Sequence, residues 1–241
     1  MAQKPWVEGS IEVLELAIEQ YYMSLLSKSK KESARYLRSS LINGDDAVEL
    51  GAKAYIEYVC GEKEKGNFYE NLKWIRQKGD FKDKTYFKQV EEALRFYHKQ
   101  RNTLYHEGYS PPMSKLQVLD LIANCTTFFR IIFAYDMESA LQYDDRRRFL
   151  FAFLELEKQV VDLCHSKGIK VEDNSTVSDL LLTMVQEKIM DEETRETIEQ
   201  ASAVQEKLIP TVEDVNYDVY EISAMLTEIT SNLKEMAEGK S

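Results

Sequence analysis

His98, Asn102 and His106 recur every four residues, and Arg101 and Tyr105 repeat that spacing one place earlier. On a helix these five side chains fall on two adjoining ridges. An imidazole titrates near neutral pH and can give or take a proton. A guanidinium offers a rigid fork of donors suited to a phosphate or a carboxylate. Asn102 could orient whatever the fork holds, and the Tyr105 ring could stack on a planar group. The combination suits anion binding coupled to proton transfer. His106 also stands near a helix C-terminus, where the backbone dipole favours the imidazolium form.

These residues are carried by a segment with clear helical periodicity. Phe87, Val90, Leu94, Tyr97, Arg101 and Leu104 alternate in steps of three and four, which predicts a helix over residues 85–105. Arg101 therefore occupies a slot in the apolar stripe. A guanidinium there is costly to bury without a partner, so a carboxylate, a phosphate or a water-filled cleft is expected beside it. Glu57 and Glu62 are candidates for a purely structural pairing. Gly108 and Pro111-Pro112 stop the helix, and residues 114–135, apolar nearly all round, read as the buried helix of the domain.

Upstream, Ser10 reads as the N-cap of a first helix bearing Ile11, Leu14, Ile18, Tyr21 and Leu25. Asn43-Gly44-Asp45 reads as a turn before a helix with Ala47, Leu50, Ala54 and Val59. A short helix holds Phe68, Leu72 and Ile75 and closes at Gly79. Past Asp144-Asp145 and three arginines, three further amphipathic helices are expected. A last one then carries Val215, Val219, Ile222, Leu226, Ile229, Leu233 and Met236 on a seam of heptad spacing. Either the chain itself or a second chain must cover that seam.

With 44% apolar residues, 30% charged residues, four prolines and nine glycines, the 241-residue chain has the makings of an all-α globular protein. Two helical domains are expected, 1–138 and 139–241. The second hints at a degenerate duplicate of the first, with Ser202 to Lys207 standing where the first has Arg101 to His106. Net charge is -11, but its distribution is uneven. Residues 73–102 hold nine Lys/Arg against four Asp/Glu, a local +5, whereas 172–241 hold five against seventeen, a local -12. The basic stretch, including Arg95 and Lys99, runs into the motif and offers donors for a polyanion; a solvated helix face is the alternative. Cys60, Cys125 and Cys164 are odd in number and set in apolar patterns, as expected of unpaired thiols in a reducing compartment. No zinc spacing, phosphate loop or hydrolase triad stands out, so neither metal nor cofactor is expected. With no signal-like opening and no run of eighteen apolar residues, a cytoplasmic protein without a membrane span is expected.

The string Arg101-Asn102-Thr103-Leu104-Tyr105-His106, followed by Glu107-Gly108, resembles the Arg-x4-6-His signature of the HEPN superfamily, with the similarity covering roughly residues 45–135. That resemblance implies a four-helix bundle, here with an added N-terminal helix, and a metal-independent endoribonuclease leaving 2',3'-cyclic phosphate and 5'-hydroxyl ends. It implies Arg101, His106 and Asn102 as catalytic residues, with Tyr105, His98, Lys99 and Arg95 against the RNA. It also implies a homodimer with a composite site, a role in prokaryotic defence or as a toxin, and room for a regulatory protein partner. Some family members carry a modified tyrosine two residues after the histidine; here that place is Gly108 and the tyrosine is Tyr109, so this regulation does not transfer. A reading from another class is a non-catalytic helical module that binds a partner protein or nucleotide.

Overall fold

The computed structural model describes residues 5–107, 113–133, 145–172, 175–208 and 219–237. The fold is all-α, and no strand occurs among the described residues. Two compact units divide it, Met1–Ala140 and Leu141–Ser241.

In the first unit the helices are α1 (Pro5–Leu26), α2 (Lys30–Ala54, continued by a π-helical turn Tyr55–Val59), α3 (Phe68–Lys78), α4 (Lys84–Glu107) and α5 (Lys115–Phe133). Local chemistry sets their starts. Ser29 caps α2, Asn67 and Glu70 form a reciprocal capping box on α3, and the Asp83 carboxylate accepts from the Tyr86 N–H at the head of α4. Ser114 and Gln117 exchange the equivalent pair of bonds at α5. Gly61 and Gly66 take positive φ in the connection that leaves the π-helical turn.

Two expectations change. Helix α1 begins at Pro5, so Ser10 lies inside it, buried, with its hydroxyl bonded to the Val7 carbonyl. Helix α1 packs into the core: Leu14, Ala17, Ile18 and Tyr22 are fully buried, and the Ser40 hydroxyl of α2 donates to the Ala17 carbonyl. The long members of the first unit are α1, α2, α4 and α5. The second change is at Asn43-Gly44-Asp45, which is no turn, because α2 runs straight through it. Gly44 and Gly51 sit seven residues apart on the face that meets α5. A Cβ at Gly44 would come 3.3 Å from Leu121, and one at Gly51 would come 2.8 Å from the Phe129 ring. The glycines serve close helix approach, and packing outweighs their low helix propensity. Gly51→Ala is accordingly expected to destabilise the protein by about 1–3 kcal/mol through overpacking; urea unfolding with an unchanged midpoint would contradict the close contact.

Of the described helices, α5 is the one long and apolar enough to cross a bilayer. Eight of its residues, from Val118 to Ile132, are buried within the bundle, as in the core helix of a globular domain.

The second unit contains α6 (Asp145–Ser166), α7 (Val177–Gln186), α8 (Glu192–Leu208) and α9 (Val219–Ala237). Leu226, Thr230 and Leu233 bury one face of α9, which packs against α6 and its buried Phe149, Phe153, Leu156 and Val160. The heptad seam is thus covered by its own chain over Leu226 to Leu233; Val215 lies outside the described residues. From α6 to α9 the helices run long, short, long, long, the order that α2 to α5 also follow.

Candidate functional site

Unbroken helical geometry through Asn43-Gly44-Asp45 turns the side chains of Asp45 and Asp46 toward α4. Asp45 is 2% exposed and lies against His98, whose Nδ1 is 2.9 and 3.0 Å from its two oxygens. The imidazole is itself buried, stacked flat on Phe68 with ring centroids 4.0 Å apart and met edge-on by Tyr69. Arg101 lies one turn further along α4. Its Nε is 3.5 Å from the same Asp45 carboxylate, its Nη2 donates to Asp46 at 2.8 Å, and its Nη1 donates to the Asn102 side-chain oxygen at 3.2 Å. The guanidinium also rests 4.6 Å from the centre of the exposed Tyr105 ring. Arg101 is thus held from four directions while remaining 23% exposed.

Burial pushes the Asp45 carboxyl above its ordinary value, and the His98 hydrogen bond and the charges of His98 and Arg101 pull only partly against this. Between the unfolded value of 3.8 and that raised folded value, the native state binds more protons than the unfolded one. Asp45 therefore adds most to stability below 3.8, and that contribution is lost as pH rises through the folded value. The carboxyl resonance of Asp45 is expected to titrate with a midpoint above 3.8. A midpoint at or below it would show that its ion partners outweigh burial.

The expected site residues fare differently. Arg101, Asn102 and Tyr105 come together at the outer end of α4. His106 is the next-to-last residue of that helix, but its side chain, with Gly108 and Pro111-Pro112, lies outside the described residues. His98 was expected to reach substrate and instead points into the bundle, because the Asp45 carboxylate and the Phe68 face offer it a partner and a packing surface there. Arg95 is likewise engaged. Its Nη2 lies 2.6 Å from Glu91 and donates to the Tyr69 carbonyl at 3.1 Å, with the guanidinium over the Tyr69 ring. Arg76 approaches the same Glu91 carboxylate at 2.6 Å, so a 3%-exposed glutamate is gripped by two arginines between α3 and α4. Lys99 stands exposed on α4, as do Lys73, Lys78, Lys82, Lys84 and Lys88 on α3, α4 and the segment between them. The charges of the basic stretch are therefore of two kinds: solvated lysines, and arginines tied into the fold.

Glu57 is exposed and Glu62 pairs with Lys65, so neither meets Arg101. Only their rank as nearby acids suggested them. Asp45 and Asp46 had no signal in the sequence once Asn43-Gly44-Asp45 was read as a turn.

Asp45, Asp46 and Glu49 also bring three carboxylate oxygens within 4.8 Å of one another. Each is already matched by a protein side chain: His98 and Arg101 serve Asp45, Arg101 serves Asp46, and Lys53 lies 3.1 Å from Glu49. Elsewhere, Tyr97 donates to Asp120 at 2.9 Å, which ties α4 to α5 beneath the site, and burial with that carboxylate raises the phenol well above its ordinary range. Cys125 and Cys164 are buried thiols, the former raised by desolvation and the latter pushed up to about 11; Cys60 is half-buried. Thiols raised in this way are poor nucleophiles.

No protein-family model matches the chain, and neither a curated protein nor a solved structure shows significant similarity to it.

Proposed function

We propose that this protein is a metal-independent endoribonuclease of the HEPN type, acting through the C-terminal turns of α4 from two copies of the chain. The observation that carries the reading is Arg101: a guanidinium fixed by two carboxylates, an amide and an aromatic ring, yet still open to solvent, five residues before His106 on the same helix. Preorganised positive charge at a surface is what a phosphorane needs as it gains charge in the transition state. In the reaction a base removes the proton of the ribose 2'-hydroxyl, the 2'-oxygen bonds to phosphorus, and the bond from phosphorus to the 5'-oxygen breaks. An acid then supplies the proton to the departing 5'-oxygen. His106 of one copy serves as base and His106 of the other as acid, which is why a homodimer is part of the proposal. Asn102 orients the Arg101 fork, and Tyr105 offers a face for a base to stack on. Prokaryotic defence or toxin action is the setting by family analogy.

A specific observation favours a second reading, in which Arg101 is a clamp between α2 and α4 in a non-catalytic binding module: its ion pairs to Asp45 and Asp46. Magnitude separates the two. The acceptor at the tip of the Arg101 fork, Asp46, is 39% exposed, and pairs of that kind contribute about 0–1 kcal/mol. The fork tip is therefore available to another anion at small cost. The contrast is with Arg95, whose tip meets an almost fully buried Glu91.

The test is to incubate the protein with total RNA in EDTA and to map the ends of the products. Cleavage to 2',3'-cyclic phosphate and 5'-hydroxyl ends is expected, from a dimer by light scattering. Activity that depends on a divalent metal, or cleavage by a monomer, contradicts the mechanism.

A further inference from the structure

We infer that Asp46 is an intramolecular stand-in for the substrate phosphate, a counter-ion that an incoming anion must displace from Arg101 before it can be held. The inference rests on the reading of Arg101 as a phosphate holder and adds a competing residue to it. Two neighbouring aspartates meet the same guanidinium in opposite circumstances. Asp45 is buried, gripped by His98, and approaches Nε on the inner edge of the fork at 3.5 Å. Nothing from solvent replaces it without opening the bundle, so it acts as the fixed anchor. Asp46 is 39% exposed and takes Nη2, on the outer arm, at 2.8 Å. A phosphate oxygen uses the same arm, because carboxylates and phosphates are matched by the same fork of donors. The other neighbours do not compete. Glu49 is turned to Lys53, Asn102 presents its carbonyl oxygen to Nη1, and Tyr105 covers one face of the guanidinium.

This arrangement has a consequence for selectivity. Asp46 both occupies a donor and places a negative charge beside any arriving anion, so isolated phosphate is disfavoured. A polyanion, which brings many phosphates to the surface at once and gains from counter-ion release, overcomes that barrier. Asp46 is thus a specificity-determining residue, and its removal should make the site less discriminating.

Titration of inorganic phosphate, followed through the Arg101 Nε–H resonance, tests this in wild type and in Asp46→Asn, which keeps the shape and removes the charge. Phosphate is expected to bind about fivefold more tightly to Asp46→Asn, the size set by a partly exposed ion pair. Asp46→Ala should give the same direction and serves as the second variant if Asp46→Asn fails to fold. A 2'-O-methyl single-stranded RNA, which resists cleavage, is titrated in parallel. If phosphate tightens and the RNA binds both proteins, the displaced counter-ion and the RNA reading stand together. If phosphate tightens but neither protein binds the RNA, the counter-ion role stands and the ribonuclease reading falls. Equal phosphate affinity in wild type and variant overturns the inference, whatever the RNA does.

Discussion

His106→Ala is expected to lower RNA cleavage by about 10²–10⁴-fold, the range typical of removing a positioned acid or base, while the protein stays folded. Both copies lose their imidazole, so proton removal from the 2'-hydroxyl and proton delivery to the 5'-oxygen fail together. His106 is the next-to-last residue of α4. Arg101 is the less clean probe. Its loss removes the holder of the phosphate and also strips Asp45 and Asp46 of their cation, so activity and stability should fall together. Arg101→Lys helps to separate the two effects. It restores a positive charge for the aspartates without the second arm of the fork, and should recover stability better than turnover. Cleavage assays paired with urea unfolding check all three variants. Undiminished cleavage by folded His106→Ala would remove the imidazole from the mechanism.

Glu91→Ala is expected to destabilise the protein by about 3 kcal/mol, because it leaves two guanidiniums facing each other where one carboxylate had bridged them. Glu91 is 3% exposed, and Arg76 and Arg95 approach it at 2.6 Å from α3 and α4. Both arginines are a third exposed, so water reaches part of the vacated space and holds the loss at the lower end of the range for a broken buried pair. Glu91→Gln keeps the shape and should lose less. A drop below about 1 kcal/mol in urea unfolding would mean that the pairing is screened like a surface bridge. The cluster lies on the α3 side of His98, whose ring stacks on Phe68 of the same short helix. Loosening α3 should therefore also blunt the Asp45–His98 contact.

Most helices were legible from one chain because their cause is local. Steps of three and four marked α4, continuous apolarity marked α5, and Gly79 marked the end of α3. The need for a partner at Arg101 was legible too, since a guanidinium in an apolar stripe demands one. The identity of that partner was not. Asp45 and Asp46 are more than fifty residues away, and the turn chemistry of Asn43-Gly44-Asp45 argued against their lying on a helix at all. The partners of His98 and Arg95 were not legible for a related reason: whether a polar side chain on a helix faces solvent or a buried carboxylate depends on the neighbouring helix, which periodicity does not describe.

Spacing along a 3.6-residue turn is enough to fix the all-helical class, the positions of most helices, and the placement of Arg101, Asn102, Tyr105 and His106 near the end of one helix. Tertiary structure decided which charges are spoken for. Close approach of α5 at Gly44 and Gly51 accompanies a continuous α2, and that helix delivers one buried and one partly exposed aspartate to the same arginine. Helix propensity and turn preference differ by about 1 kcal/mol per residue, whereas packing a whole helix face involves several times that, so the packing prevails.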